Sequence, residues 1–238
     1  MKATDMISRD KEIITDVETL TGENIAYKEG ESFCDGINPK TEGSLLQEIV
    51  LALKATMRKN NLKYLSAIQI GYRKRVLCIR YGENDYRTYV NPAVVSAKGY
   101  RPVIEECASI PNKRFLVPRF DNLKIAFMTP LGELKEGAVY GVAAHLFQHA
   151  LEHLNGGYVA DYGLELDDAW ETFTDDQRAE LVQMYFESLD LYGKQLKEEI
   201  SEDSELKQVY DASNFLSSVE AGETEIDYST NEEYSKGE

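Results

Sequence analysis

The 238-residue chain has only three histidines and three cysteines, and its basic side chains are far outnumbered by acidic ones. The formal charge of −16 argues against nucleic acid as a partner, because phosphate recognition normally needs a basic surface. The cysteines form an odd set without regular spacing, which argues against a disulfide framework and indicates a reducing compartment.

The sequence also lacks segments that would direct it into or across a membrane. No apolar run approaches the roughly 20 residues needed to span a bilayer. Asp5, Arg9 and Asp10 stand where the apolar core of a signal peptide would begin. We therefore expect a cytoplasmic protein without membrane contact, and the 42% hydrophobic content supports one globular domain with appendages.

Apolar spacing outlines the first two thirds of the chain. Residues 1–40 are polar and mixed and predict an N-terminal arm, whereas residues 41–60 show helical spacing and predict an amphipathic helix. Short apolar runs then predict strands at residues 76–79, 88–90, 103–104 and 123–127. We expect Asn91 and Pro92 to end the second strand, and residues 130–132 to form a tight turn.

The remainder of the chain predicts one long helix and an acidic tail. Thr174 and Gln177 can form a capping box, and helical spacing places a C-terminal helix within residues 166–200. Its apolar stripe would comprise Leu181, Tyr185, Leu189, Tyr192 and Leu196. Acidic side chains dominate residues 201–238, which we expect to form a largely irregular tail.

The histidines fall on one predicted helix, over residues 140–153, that should stop at residues 155–157. His149 and His153 are four residues apart, so a helix of about 100° per residue places them on one face, where they can hold one metal ion. The pattern is similar to the H-E-x-x-H helix of zinc hydrolases, whose glutamate moves protons for a metal-bound water. Ala150 stands in place of that glutamate, so this general base is missing.

A metal on this helix would need a further protein ligand. Cys107 is the candidate, because thiolates are among the ligands that catalytic tetrahedral sites use. His145 lies one turn before His149, and we interpret it as a polar edge residue and not as a ligand.

Three segments resemble the motifs of the peptide deformylases, in the same order along the chain. Residues 62–71, 105–109 and 148–156 are similar to G-x-G-L-A-A-P-Q-I-G, E-G-C-L-S and Q-H-E-x-D-H-L-x-G. The resemblance covers residues 41–165 and implies an α+β, peptide-deformylase-like domain in which antiparallel strands surround a central metal-binding helix. The C-terminal helix and the acidic tail would follow this domain.

The resemblance implies a role for each matching position. A divalent metal, iron or zinc, would be held by Cys107, His149 and His153. Gln69 and the backbone N–H of Ala108 would polarise the formyl oxygen of an N-formylmethionyl peptide. Glu105 and Arg119 would brace the metal ligands from behind.

Several motif positions depart from the family pattern. Ala150 removes a general acid/base that is typically worth about 10² to 10⁴ in rate. Leu62 and Tyr64 replace two glycines whose bare backbone lets a substrate lie close to it, and Glu106 adds an anion next to Cys107. We therefore expect a divergent member, in effect a pseudoenzyme, that keeps its metal and binds N-terminal formyl-peptides or related peptides with weak or no hydrolysis.

Two other functions stay open from the sequence. The protein could be an active metal-dependent amide hydrolase whose base is Glu152 or a metal-bound hydroxide, because His149-x-x-Glu152-His153 also fits the inverted zincin motif. Against this, Glu152 occupies a position at which the family usually has a supporting Asp. The second alternative is a non-catalytic interaction protein whose C-terminal helix or tail binds a partner.

Overall fold

The structure is a computed structural model that describes residues 10–15 and 33–202. The tail from residue 203 onward and most of the N-terminal arm lie outside the described residues. The helices are α1 (Gly43–Lys59), α2 (Val142–Leu154), α3 (Val159–Tyr162) and α4 (Asp175–Glu202). The strands are β1 (Tyr64–Ser66), β2 (Val76–Arg80), β3 (Tyr86–Cys107), β4 (Ile110–Met128), β5 (Leu134–Tyr140) and β6 (Leu164–Leu166). Short 3₁₀ helices occupy Ala67–Ile70 and Asp168–Thr172.

The six strands form one antiparallel sheet. Their order is β1-β2-β3-β4-β5, and β6 pairs with β4. β3 and β4 make a long hairpin that closes at the pair Cys107 and Ile110. The expected α+β arrangement of antiparallel strands and a central helix is confirmed. None of the helices in the described ranges is long and apolar enough to cross a membrane.

Strand β2 lies between two helices, which explains its uninterrupted apolar sequence. Leu77 and Ile79 belong to the core that α2 covers, whereas Val76 and Cys78 belong to the core that α1 covers. Successive side chains of a strand point to opposite faces, so β2 is buried on both. Helix α1 contributes four apolar side chains to the core that contains Val76 and Cys78: Leu46, Ile49, Leu53 and Met57. The predicted amphipathic helix is thereby confirmed.

Strand β3 is longer than the sequence predicts, because Asn91 and Pro92 do not end it. The pairing with β4 shifts register between Val90 and Ala93, and Asn91 takes a φ of 50°. The Asn91 amide donates to the Ile37 carbonyl at 2.8 Å and accepts from the Ile37 N–H at 2.9 Å. A bulge thus accommodates the proline inside the strand, which is one of the few places where a sheet tolerates it.

Two predicted ends of elements are confirmed. The Gly132 N–H donates to the Thr129 carbonyl at 2.8 Å, with a φ of 84° at Gly132, and this turn connects β4 to β5. Helix α2 ends at Leu154. Gly156 follows with a φ of 83°, and a Cβ there would lie 3.0 Å from the Phe33 ring, so the chain reversal needs glycine.

Helix α4 begins at the predicted capping box. The Thr174 N–H donates to Gln177 Oε1 at 2.9 Å, and the Gln177 N–H donates to Thr174 Oγ1 at 3.3 Å.

Over residues 181–191 of α4, the most buried side chains lie one position after those of the predicted stripe, whose members Tyr192 and Leu196 have side chains outside the described set. Val182 and Phe186 are 0% and 2% exposed, whereas Leu181 and Tyr185 are only partly buried. Val182 and Phe186 pack in one cluster with Leu116 of β4, so the sheet determines which side of the helix is covered.

We predict that Phe186→Ala lowers the free energy of unfolding by about 3–5 kcal/mol, because it deletes a buried aromatic side chain and leaves a cavity. Met184→Ala is the matched control, since Met184 is 60% exposed on the same helix and should contribute less than about 0.5 kcal/mol. Urea unfolding followed by circular dichroism measures both variants. Equal effects would contradict the assigned buried face.

Candidate metal centre

The candidate site joins the end of β3 to the middle of α2. Cys107 is the last residue of β3, and His149 and His153 share one face of α2. The three residues are 3%, 1% and 1% exposed, and their ligand atoms all lie within 4.8 Å of one another. Cys107 Sγ is 3.4 Å from His153 Nε2. The fold therefore gathers the three residues in one buried cluster that could hold a metal ion.

The two histidine rings are held differently. Glu105 Oε2 lies 2.8 Å from His149 Nδ1, which leaves Nε2 as the atom for the cluster. A carboxylate behind a histidine is the usual device that fixes the orientation of a metal-binding ring. His153 Nδ1 is buried and has no hydrogen-bond partner among the described residues. Contact with Cys107 and packing thus hold His153.

An ion-pair network centred on Arg119 lies behind the cluster. The guanidinium is 2% exposed, and its Nε and Nη2 each donate to the Glu105 carboxylate at 2.8 Å. It also donates to both oxygens of Glu152, with Nη2 at 3.0 Å from Oε2, and to the Tyr162 hydroxyl at 2.7 Å. Burial raises the pKa of Glu105, but Arg119 and His149 more than offset this and hold that pKa well below its usual range.

The cluster is strongly polarised. Burial raises the pKa of Cys107, but hydrogen bonds with His149 and His153 more than offset it and lower the pKa to about 5. Burial lowers the pKa of His149, yet its contacts with Cys107 and Glu105 raise the pKa to about 9. Each group therefore favours the charged form of the other, and the neighbouring histidines favour the Cys107 thiolate. The thiolate is the form in which cysteine binds metals.

The two predicted oxyanion donors stand in different surroundings. Ala108 lines a cavity beside the cluster. Gln69 is fully buried in the first 3₁₀ helix, where its Oε1 accepts from the Ser66 N–H at 3.0 Å and its Nε2 donates to Ser109 Oγ at 3.2 Å. In the described chain Gln69 is not among the residues that line the cavity. The fold thus brings Ala108 to the cavity and holds Gln69 in contacts within the protein.

Ala150 and Glu152 lie between the two histidines in sequence, and neither provides a free carboxylate at the cluster. Ala150 is fully buried, and its carbonyl accepts a hydrogen bond from Ser66 Oγ at 2.5 Å. The Glu152 carboxylate accepts from Arg119, and its Oε1 also accepts from the Tyr162 hydroxyl at 2.6 Å. Both oxygens of Glu152 are therefore engaged behind the cluster.

A cavity of about 610 Å³ opens beside Cys107 and His149. Its wall includes Tyr64, Ile104, Ala108, Leu146, Trp170 and Arg178. Tyr64 projects its hydroxyl to 2.8 Å from His149 Nε2, and the hydroxyl donates to the Glu106 carbonyl at 3.2 Å. Tyr64 therefore lies at the boundary between the cavity and the histidines.

Sequence reasoning missed the part of this wall that the C-terminal segment supplies. Arg178 stacks 5.5 Å above the Trp170 ring and donates to the Trp170 carbonyl at 3.2 Å. No local pattern marks these residues as cavity residues, because their position depends on how the segment docks.

The interpretation of His145 as an edge residue is wrong. It is 1% exposed, and its Nε2 lies 2.6 Å from Asp121 Oδ1. Burial lowers the pKa of His145.

Comparison with known proteins identifies what the chain is similar to. A family model described as polypeptide deformylase matches residues 31–168, which is more than half of the chain. The fold is similar to that of a peptide deformylase from Acinetobacter baumannii with Met-Ala-Ser bound. That match has 23% identity and a TM-score of 0.56, and it covers 65% of this chain and 99% of that chain.

Two further solved structures show the same likeness. A peptide deformylase from Thermotoga maritima matches with 22% identity and a TM-score of 0.55, over 63% of this chain and 95% of that chain. One from Legionella pneumophila matches with 22% identity and a TM-score of 0.56, over 79% of this chain and 97% of that chain. At these identities the structural matches establish the fold.

We predict that Arg119→Gln destabilises the protein by about 3–5 kcal/mol, because it leaves buried carboxylates without their counter-charge. Lys124→Gln is the control on the same strand, since the Lys124 side chain is 52% exposed and pairs with an exposed Glu136. That surface pair should contribute about 0–1 kcal/mol. Thermal and urea unfolding measure both, and similar small losses would contradict the structural importance of Arg119.

Proposed function

The chain belongs to the polypeptide deformylase family, and from that premise we propose a protein that binds a divalent metal and a peptide N-terminus but hydrolyses formyl groups weakly or not at all. Two features support the proposal. The Cys-His-His cluster supplies the donors for a metal, and the position that would hold the general base is Ala150.

The donor set fits a divalent ion of the zinc or iron class. On a tetrahedral zinc, a sulfur about 2.3 Å and a nitrogen about 2.0 Å from the metal stand roughly 3.5 Å apart. Cys107 Sγ and His153 Nε2 are 3.4 Å apart. When bound, such an ion would act as a Lewis acid that polarises the carbonyl of an amide substrate.

Buried charge also favours a divalent cation. Arg119 is the one guanidinium in a buried group with the carboxylates of Glu105 and Glu152 and the Cys107 thiolate. Buried charges are costly unless opposite charges balance them. Histidines that bind a metal are neutral, so in that state Arg119 balances only one of the three negative charges, and one divalent ion would balance the other two.

We expect weak hydrolysis because Ala150 has only a methyl group as its side chain. It is buried beside His149, at the position where a family carboxylate would exchange protons. A positioned acid/base contributes about 10² to 10⁴ in rate. Glu105 and Glu152, the carboxylates buried behind the cluster, are both bound by Arg119 and do not replace it.

One form of the active-hydrolase alternative uses Glu152 as the base, and the contacts of Glu152 argue against that role. A general base must lie within hydrogen-bond reach of the proton that it removes. Glu152 is bound by Arg119 and Tyr162 and is absent from the cavity lining in the described chain. These contacts support the interpretation that Glu152 is a supporting residue.

The cavity supports a short peptide as the ligand. Its 610 Å³ falls within the about 300–1,000 Å³ that is usual for ligand sites. Ile104 and Leu146 form an apolar part of its wall. The similar A. baumannii deformylase has Met-Ala-Ser bound. We propose a formylated or free peptide N-terminus as the ligand class.

We predict near-stoichiometric divalent metal in protein purified without added metal, and loss of most of it in Cys107→Ser. Cys78→Ser is the matched control, because Cys78 is an equally buried thiol in the core that α1 covers and should retain the metal. Elemental analysis gives the ratio of metal to protein. Wild-type protein without metal, or equal content in both variants, would refute the proposed ligand set.

We also predict that the metal-loaded protein releases formate from formyl-Met-Ala-Ser about 10²- to 10⁴-fold more slowly than the T. maritima deformylase assayed beside it, because it lacks the acid/base group. Ala150→Glu combined with Tyr64→Gly restores both family residues and should raise the rate. Rates equal to those of the T. maritima protein would contradict the proposal.

Glu152→Gln serves as the control for residual hydrolysis. If Glu152 acts as a base, this variant loses the residual rate even at temperatures at which it is fully folded. If Glu152 is a supporting residue, the melting temperature falls, because Arg119 loses one charged partner.

A further inference from the structure

The Tyr64 side chain occupies the space next to the one ring nitrogen of His149 that is left for a metal. Its hydroxyl oxygen is 2.8 Å from His149 Nε2 and hydrogen-bonds the backbone carbonyl of Glu106, the residue before Cys107. Glu105 occupies the opposite nitrogen of the same ring. The phenol oxygen therefore lies next to an atom of the cluster whose ligand atoms are all within 4.8 Å of one another.

The distances suit an oxygen that shares a metal with these atoms. Two ligand atoms that each stand about 2.0 Å from a tetrahedral zinc are roughly 3.3 Å apart. An outward shift of Tyr64 Oη by about half an ångström would give that spacing. Three ligands from Cys107, His149 and His153 leave one tetrahedral position, which catalytic sites keep for water or substrate.

The fold holds Tyr64 in this place from both ends. Its backbone pairs with Ile79 in the sheet, and its hydroxyl donates to the Glu106 carbonyl at 3.2 Å. The ring lies 4.6 Å from the His149 ring between centroids. Tyr158 offers a contrast, because its ring lies 5.9 Å from the His153 ring but its hydroxyl donates to the Ser109 carbonyl.

We infer that the Tyr64 hydroxyl is a fourth protein donor to the metal and closes the coordination position that a hydrolase of this fold would leave open. The inference rests on the proposed metal site and deepens it. A closed Cys-His-His-Tyr site excludes substrate from the metal even when the cavity holds a peptide. Loss of the open position and loss of the base at Ala150 then act in the same direction.

The test uses cobalt(II), whose visible spectrum reports the number and kind of its ligands. Wild type, Tyr64→Phe, Tyr64→Gly and Tyr158→Phe are loaded with cobalt(II), and the bound metal is measured by elemental analysis. Each protein is then titrated with acetohydroxamate, a small chelator that needs an accessible metal position. Tyr158→Phe controls for the loss of a buried hydroxyl beside the other histidine.

We expect Tyr64→Phe to change the cobalt spectrum relative to wild type and Tyr158→Phe to leave it unchanged. Acetohydroxamate should bind Tyr64→Gly at least about tenfold more tightly than wild type, a difference of about 1.4 kcal/mol. Tyr64→Phe keeps the ring, so it tests the oxygen donor even if Tyr64→Gly folds poorly.

Two results would overturn the inference while leaving the metal site intact. One is an identical cobalt spectrum for wild type and Tyr64→Phe, and the other is equal chelator binding by wild type and Tyr64→Gly. Failure of the wild-type protein to take up cobalt(II) would instead refute the metal site itself, and the inference with it.

Discussion

The site depends on one buried guanidinium. Arg119 stands on β4 and binds Glu105 of β3 and Glu152 of α2, so a single side chain fastens the long hairpin to the helix that carries both histidines. Glu105 in turn sets the ring of His149. The geometry of the cluster therefore rests on charge pairs that are buried, where breaking one partner of a pair costs far more than at the surface.

The cluster combines the donor atoms of a metal site with neighbours that supply no free base. Cys107, His149 and His153 provide the donor atoms, and the ion pairs of Arg119 lie behind them. Ala150 has no acid/base group, and the Tyr64 hydroxyl lies 2.8 Å from His149 Nε2. These features are the basis of the proposal that a metal binds here with little or no hydrolysis.

Much of the fold and the membership of the cluster could be predicted from the sequence. Helical periodicity placed α1 and α2, and a local capping box placed the start of α4. These signals depend on residues a few positions apart. The end predicted for the second strand was wrong, because a bulge at Asn91 that pairs with Ile37 carries β3 onward.

Features that depend on distant contacts could not be read from the chain. The sequence left Glu152 between two roles, and its contact with Arg119, 33 residues away, favours one of them. The position of the Tyr64 hydroxyl depends on His149, 85 residues away. The cavity wall formed by Trp170 and the one-residue displacement of the buried face of α4 likewise depend on docking against β4.

We infer that a divalent metal binds in this cluster and that Tyr64 leaves no open coordination position for substrate. The most direct test is a crystal structure of the purified protein with anomalous diffraction data at the zinc and iron absorption edges. We expect one anomalous peak bonded to Cys107 Sγ, to Nε2 of His149 and His153, and to the Tyr64 hydroxyl. A map without a peak among these atoms, or a metal with a water in place of Tyr64, would contradict it.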